Sequence, residues 1–235
     1  MTGRTPRSRD GELLLARISE AAGRERIGRR LATYPGAVRT ARPWRAAVAV
    51  LCRVTHRAPR AARDARLDLY EHGMTVALNG RIHVVRYATT SVLQDNPDTT
   101  RTYTVTDVEG RRLVLHDGSQ RGPAGIRARV GFRDARQWGP EVQRAVTAAR
   151  LPRALAALDR GERLAFGGIW LTGERVGSGR VSAPWPSVQR IAVRDGFVAL
   201  KTAGTWHTLD AAVSEIPNFF VLRALAERLR TDPTV

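Results

Sequence analysis

Lysine is almost missing from this chain of 235 residues. Lys201 is the only one among 39 basic residues, so arginine carries nearly all of the formal charge of +17. Arginine, alanine, glycine and proline share GC-rich codons, so composition by itself accounts for part of that charge without any anionic partner. Cysteine is nearly missing too. Cys52 stands alone, which excludes an internal disulfide, and its place in an apolar run reads as a buried, inert thiol rather than a reactive one. Long hydrophobic runs are missing as well: the longest without glycine, Ala46 to Cys52, has seven residues where a spanning helix needs about 20. The first twenty residues are polar apart from Leu13-Leu14-Leu15, and Thr2 follows Met1. Neither a secretory leader nor N-myristoylation is expected, so the expected place is the cytoplasm, with the inner face of the membrane as a peripheral site.

The residues of known catalytic constellations are missing in turn. His56, His72, His83, His116 and His207 include no ligand-spaced pair. On the hairpin register derived below, His72 and His83 stand roughly 13 Å apart at 3.3 Å per step, too far to share a metal. A nucleophile elbow needs glycine, serine and glycine at alternating positions on a strand-to-helix turn, which neither Gly118-Ser119 nor Gly177-Ser178-Gly179 supplies. The glycines at 177 and 179 read as a loop, and no phosphate cradle follows them. No metal, no cofactor and no enzymatic activity is expected.

What the chain does have is a charge concentrated at one end. Residues 1–66 hold 16 arginines against five acids, a net of +11, leaving +6 for the other 169 residues. A uniform codon bias would have spread the excess, so an N-terminal arm facing an anionic partner is the functional reading. Its candidate contacts are Arg39, Arg42, Trp44, Arg45, Arg53, Arg57, Arg60 and Arg63. Trp44 among arginines, beside an apolar run, is a combination suited to a membrane interface, but a solvated loop or packed strand is the favoured reading of it. Nucleic acid would use the same charges, but no helix-turn-helix, zinc finger or aromatic ribonucleoprotein motif is present.

Periodicity supplies the architecture. Asp10 suits the cap of a helix with Leu14, Ile18 and Ala21 or Ala22 on one face, and 35–66 fits neither period, leaving room for one strand at most. Asn79-Gly80 predicts a two-residue type I′ hairpin that pairs Val76 with His83, Met74 with Val85 and His72 with Tyr87, with a bulge at His72-Gly73 bringing Leu67 and Leu69 to the core side. A second hairpin crosses Glu109-Gly110. Ile126 to Phe132 alternates, Gly139-Pro140 starts a helix through Val142 and Val146, and Pro152 restarts it as a second short helix to Gly161. Beyond that boundary, Leu164 to Leu171, Val181 to Val193, Phe197 to Thr202 and Trp206 to Val213 read as strands, and Asn218 opens an amphipathic helix stopped by Asp232-Pro233. Tyr87 and Trp185 occupy matching positions as core rings.

The run Gly161-Glu162-Arg163-Leu164-Ala165-Phe166-Gly167, then Pro184-Trp185, Val188, Asp195-Gly196 and Ile216-Pro217-Asn218, with Leu69-Tyr70-Glu71-His72-Gly73 in the first copy, resembles an uncharacterised family of high-GC bacteria similar to tandem pleckstrin-homology-like domains. The likeness covers roughly 67–230. It implies a mainly β, α+β fold of two bent antiparallel barrels, each closed by a C-terminal helix, and carries no catalytic residues. The expected organisation is an N-terminal helix and arginine-rich segment over 1–66, a first unit with a helical connector over 67–160 and a second unit over 161–235. The expected function is a non-enzymatic adaptor whose modules bind a protein, peptide or lipid headgroup; the alternative is peripheral association with an anionic membrane surface through the arginine-rich segment.

Overall fold

Two acids in its first turn and a glycine beyond its last mark the first element. The structure is a computed structural model whose description covers residues 9–36, 65–95, 102–117 and 129–231. Helix α1 (Arg9–Arg24) holds Asp10 and Glu12 in its first turn and Arg24 in its last, the arrangement its dipole favours. Asp10 therefore sits inside the helix rather than before it. Ile18 and Ala22 are buried against Ile27, Tyr70, Ala77 and Val84, so the apolar stripe of α1 covers the outer face of the first sheet. Gly28, at φ +85°, then turns the chain back.

That sheet has the order β1 (Arg30–Pro35), β2 (Arg66–Tyr70), β3 (Gly73–Leu78), β4 (Arg81–Arg86), all antiparallel. The pairs Val76–His83 and Met74–Val85 form as the Asn79-Gly80 turn requires, with both turn residues at positive φ, and the Tyr87 N–H donates to the His72 carbonyl. The expected bulge is a full reversal instead. Leu69 pairs with Met74, so Tyr70 to Gly73 is a turn and the stretch from Leu67 forms two strands. Gly73 is required there because a Cβ would collide with the Val85 carbonyl and the Ile27 side chain. Leu67, Leu69, Met74 and Val76 share the inner face, as expected, while Asp68 and Thr75 lie buried on the other.

The second sheet has the order β5 (Val92–Gln94), β6 (Thr102–Thr106), β7 (Arg112–Asp117), β8 (Arg129–Phe132). Tyr103 and Val105 are buried and Thr102 and Thr104 half-exposed, the alternation the sequence carries. β8 pairs with β7 in parallel, contrary to the all-antiparallel expectation, and its end bridges to the first sheet through Gly36–Phe132. Helix α2 (Ala135–Asp159) then runs unbroken for 25 residues. It starts earlier than Gly139-Pro140 predicted, so Pro140 and Pro152 both lie within it. The two missing N–H groups are tolerated because Ala135, Trp138, Val142, Val146 and Leu158 are anchored in the core on both sides of each proline. Gly161 ends the helix in a Schellman turn, with Gly161 N–H to the Leu158 carbonyl and Glu162 N–H to that of Ala157.

The second unit repeats the plan. A sheet of β9 (Leu164–Phe166), β10 (Ile169–Leu171), β11 (Arg175–Ser178) and β12 (Val181–Pro184) is followed by a sheet of β13 (Val188–Arg194), β14 (Phe197–Thr202) and β15 (Thr205–Ala212), then helix α3 (Phe219–Thr231). Here sequence periodicity undercounts turns. Gly167-Gly168 splits the expected strand 164–171, and a 3-10 turn at Trp185–Ser187 splits 181–193. Gly177 is inside a strand rather than a loop, because a Cβ there would stand 2.5 Å from the Val181 carbonyl and 2.8 Å from Trp170.

All four sheets are open, so among the described residues there is no closed barrel. The fold is α+β and mainly β, as expected. One continuous core runs through both units, from Leu67, Tyr87 and Trp138 to Ile169, Trp185 and Leu225. Tyr87 and Trp185 are both buried core rings, the latter donating its indole N–H to the Thr172 carbonyl at 2.9 Å. The largest ring in the first unit is one that periodicity did not single out: Trp138 stacks tilted on Tyr103 at 5.2 Å and edge-on to Phe132 at 6.4 Å.

Candidate functional site

An edge strand presents unpaired backbone groups, and their direction follows from the nearest turn. Asp195 and Gly196, both at positive φ, form a two-residue turn that makes Arg194–Phe197 the closing hydrogen-bonded pair. Arg194, Ala192 and Arg190 therefore direct their N–H and C=O groups to β14, while Ile191 and Val193 turn theirs outward. β13 is the end strand of its sheet, and no described strand pairs with that outer side. The Gln189 carbonyl is met by the Arg230 guanidinium at 3.2 Å.

Helix α3 runs beside this edge and completes a groove of about 540 Å3. Phe219, Arg223, Glu227 and Arg230 recur at helical spacing and form its far wall. Glu227 pairs with Arg230 at 3.2 Å, whereas Arg190 and Arg223 meet no acid among the described residues. The groove thus combines outward strand groups, half-buried Ile191 and Val193, and a net positive rim. Chemically it can pair an extended backbone and neutralise acidic side chains.

The corresponding edge of the first unit is closed by the chain itself. Val92, on end strand β5, receives the Asn218 N–H at its carbonyl (2.8 Å) and donates its own N–H to Asn218 Oδ1 (3.0 Å). Asn218 Nδ2 donates to the Thr90 carbonyl at 3.2 Å. Asn218 was expected to open the last helix, and its backbone carbonyl does accept the first helical N–H groups, from Val221 and Leu222. Its side chain serves the other unit. With φ at 54°, a conformation Asn adopts more readily than most residues, it places backbone and amide together on Val92.

The sequence-derived contacts Arg39, Arg42, Trp44, Arg45, Arg53, Arg57, Arg60 and Arg63, and Cys52, lie outside the described residues. The flanks of that stretch are described: β1 and β2 pair, and the Gly36 N–H donates to the Ala65 carbonyl at 2.7 Å, so both ends of the arginine-rich segment leave from one point of the first sheet. Periodicity gave Ile191 and Val193 no special role. The Asp195-Gly196 turn carried the signal, because it fixes which residues face away from β14. Nothing in the sequence placed Arg223 and Arg230 beside that edge.

His83 is built into a buried polar pair. Its Nδ1 lies 2.8 Å from Asp107 Oδ2, and Asp107 Oδ1 accepts the N–H groups of Glu109 and Arg111. No hydroxyl or thiol among the described residues bonds to this imidazole, so the pair ties β4 to the β6–β7 turn. Among the described residues no group of three or more His, Cys, Asp or Glu side chains is placed to hold a metal, and no helix is long and apolar enough to cross a membrane.

These features define a mainly β, α+β chain in which, among the described residues, the outer side of β13 is an unpaired, arginine-rimmed sheet edge. The chain belongs to a family of unknown function, DUF6585, whose model matches residues 47–234. No curated protein and no solved structure matches it.

Proposed function

We propose that the protein is a non-catalytic interaction module whose second unit binds an acidic, extended peptide segment by strand addition to β13, alongside α3. The observation that carries this reading is the contrast between the two edges: β5 already pairs with Asn218, while Ile191 and Val193 face a basic groove with no strand beside them. A four-stranded antiparallel meander, then a second sheet, then a helix recur in both halves, although the second sheet of the first half carries a fourth strand in parallel, and this recurrence supports a tandem pleckstrin-homology-like architecture. The acidic character of the occupant follows from Arg190 and Arg223, whose charges no described carboxylate offsets.

Selection of nine-residue peptides from a random display library against the full chain tests the proposal. Asp- and Glu-rich sequences with alternating apolar residues are expected to emerge. Their affinity should fall about tenfold or more in the double variant Arg190→Glu, Arg223→Glu, and in Val193→Pro, which removes one outward donor and no bond to β14. Selected peptides that ignore both changes sink the idea.

A second reading concerns the arginine-rich stretch, supported by its pinned ends at Gly36 and Ala65. Both ends emerging at one point present seven arginines of residues 37–64 against the single acid Asp64, a tether suited to an anionic membrane surface, where each basic residue contributes about 1 kcal/mol. Co-sedimentation with phosphatidylserine vesicles at two salt concentrations, for the full chain and for a variant with those arginines replaced by glutamine, checks it; equal recovery removes it.

A further inference from the structure

Where the two units meet, a second cavity of about 440 Å3 lies between the β4–β5 connection, α2, β9 and the start of α3. Its lining carries Arg150 and Arg153, three residues apart on α2 and so on one side of that helix, together with the hydroxyl residues Thr89 and Ser91. Arg150 is half-buried and oriented: its Nη1 donates to the Thr90 carbonyl at 2.5 Å, the same oxygen that Asn218 reaches. Neither arginine meets a carboxylate among the described residues. Burial holds the Arg150 guanidinium below its ordinary pKa, as expected of a cation that has lost water without gaining a counter-charge. Apart from Asn218, the remaining wall is apolar, with Ala154, Ala157, Leu164, Phe166 and Val221 among its residues.

We propose that this cavity binds an amphiphilic anion, with its acid head between Arg150 and Arg153 and its alkyl or acyl chain along the apolar wall. An anion restores the counter-charge a half-buried guanidinium lacks, and a chain displaces water from a surface that gains nothing by being wet. An inorganic anion leaves the wall hydrated, and a neutral amphiphile leaves the charge uncompensated, so the site discriminates against both. The cavity falls in the size range of small-ligand sites and suits a chain of about ten carbons.

Calorimetric titration of the full chain with decanoate, decyl phosphate, decanol and inorganic phosphate, each below any micellar concentration, tests the site. At least one of the two acids is expected to bind saturably and raise Tm, with decanol and inorganic phosphate weaker by about tenfold or more. The stronger acid tells whether a carboxylate or a phosphate head is the natural one. Arg153→Glu, at an exposed side chain without a partner, should weaken binding about tenfold and leave the unliganded Tm unchanged; Ala154→Leu, which fills the apolar end, should weaken it through the chain. Equal binding of decanol, no saturable binding of either acid, or wild-type affinity in Arg153→Glu overturns the proposal. The peptide groove at β13 responds to Arg190 and Arg223 instead, so either site can fail without the other.

Discussion

The two units solve the same edge problem in opposite ways. An end strand exposes a row of unpaired groups, and proteins usually cover or distort such edges. In the first unit Asn218 does the covering, matching both backbone groups of Val92 with one residue held at positive φ. In the second unit nothing described covers β13, and only the Gln189 carbonyl is met, by an exposed arginine. The lesson is that the two edges differ: Val92 is paired by a residue of the other half, while the outward groups of Ile191 and Val193 have no partner among the described residues.

The largest expected effect comes from undoing the pairing of Val92. Asn218→Ala removes two side-chain hydrogen bonds, leaves the buried Val92 N–H unpaired and forces alanine into positive φ, so a loss of about 3 kcal/mol is expected in chemical denaturation. Hydrogen exchange at Val92 should then rise toward the rate at Ile191 and Val193. If Val92 stays protected, the closed-edge description fails.

Proline placed on each edge in turn sharpens the contrast. Val92→Pro deletes a donor that Asn218 uses and should cost about 3 kcal/mol, whereas Val193→Pro deletes a donor that faces outward and should cost about 1 kcal/mol, mostly from side-chain packing. Comparable losses from the two, measured by thermal unfolding, would break the comparison.

Alkaline pH should act through the phenols, and these lie in one unit alone. All four tyrosines, Tyr34, Tyr70, Tyr87 and Tyr103, lie in the first unit, and burial raises each phenol above its ordinary value, Tyr34 to about 12 with help from Glu141, whose carboxylate accepts its O–H at 3.0 Å. A phenol with a raised folded pKa contributes stability that is complete below about pH 10, where the unfolded chain is also protonated, and lost as pH climbs toward 12. Tyrosinate absorbance of the folded chain should lag behind that of the denatured chain across this range. Coincident curves would remove the burial argument. The smallest effect is expected from Arg230→Gln, which frees the Gln189 carbonyl at a cost below about 0.5 kcal/mol because the contact is exposed.

Much of the wiring was legible where a turn has strict chemistry. Asn79-Gly80 fixed the register of β3 and β4 to the residue, and Gly161 marked the end of α2, because positive φ is open to few side chains. Strand counts were less legible. Glycines 73, 167 and 177 each look alike in sequence, yet the first closes a turn under Ile27, the second makes a reversal and the third lies in a strand against Trp170. Which role a glycine plays depends on what packs over it. The proline at 152 misled for a related reason: an isolated helix would break there, but a helix anchored on both sides loses one hydrogen bond and continues.

The candidate site divides along the same line. Local chemistry in the sequence determined the hairpins, the alternating faces and the concentration of arginine at one end. Only the tertiary structure decided that Asn218 would reach across 126 residues to Val92, that Arg223 and Arg230 would stand beside the outer edge of β13, and that Arg150 would be half-buried with no acid beside it among the described residues. Turns and periodicities act over a few bonds, whereas the pairing of an edge and the compensation of a charge are settled by whatever the rest of the chain brings within 3 Å.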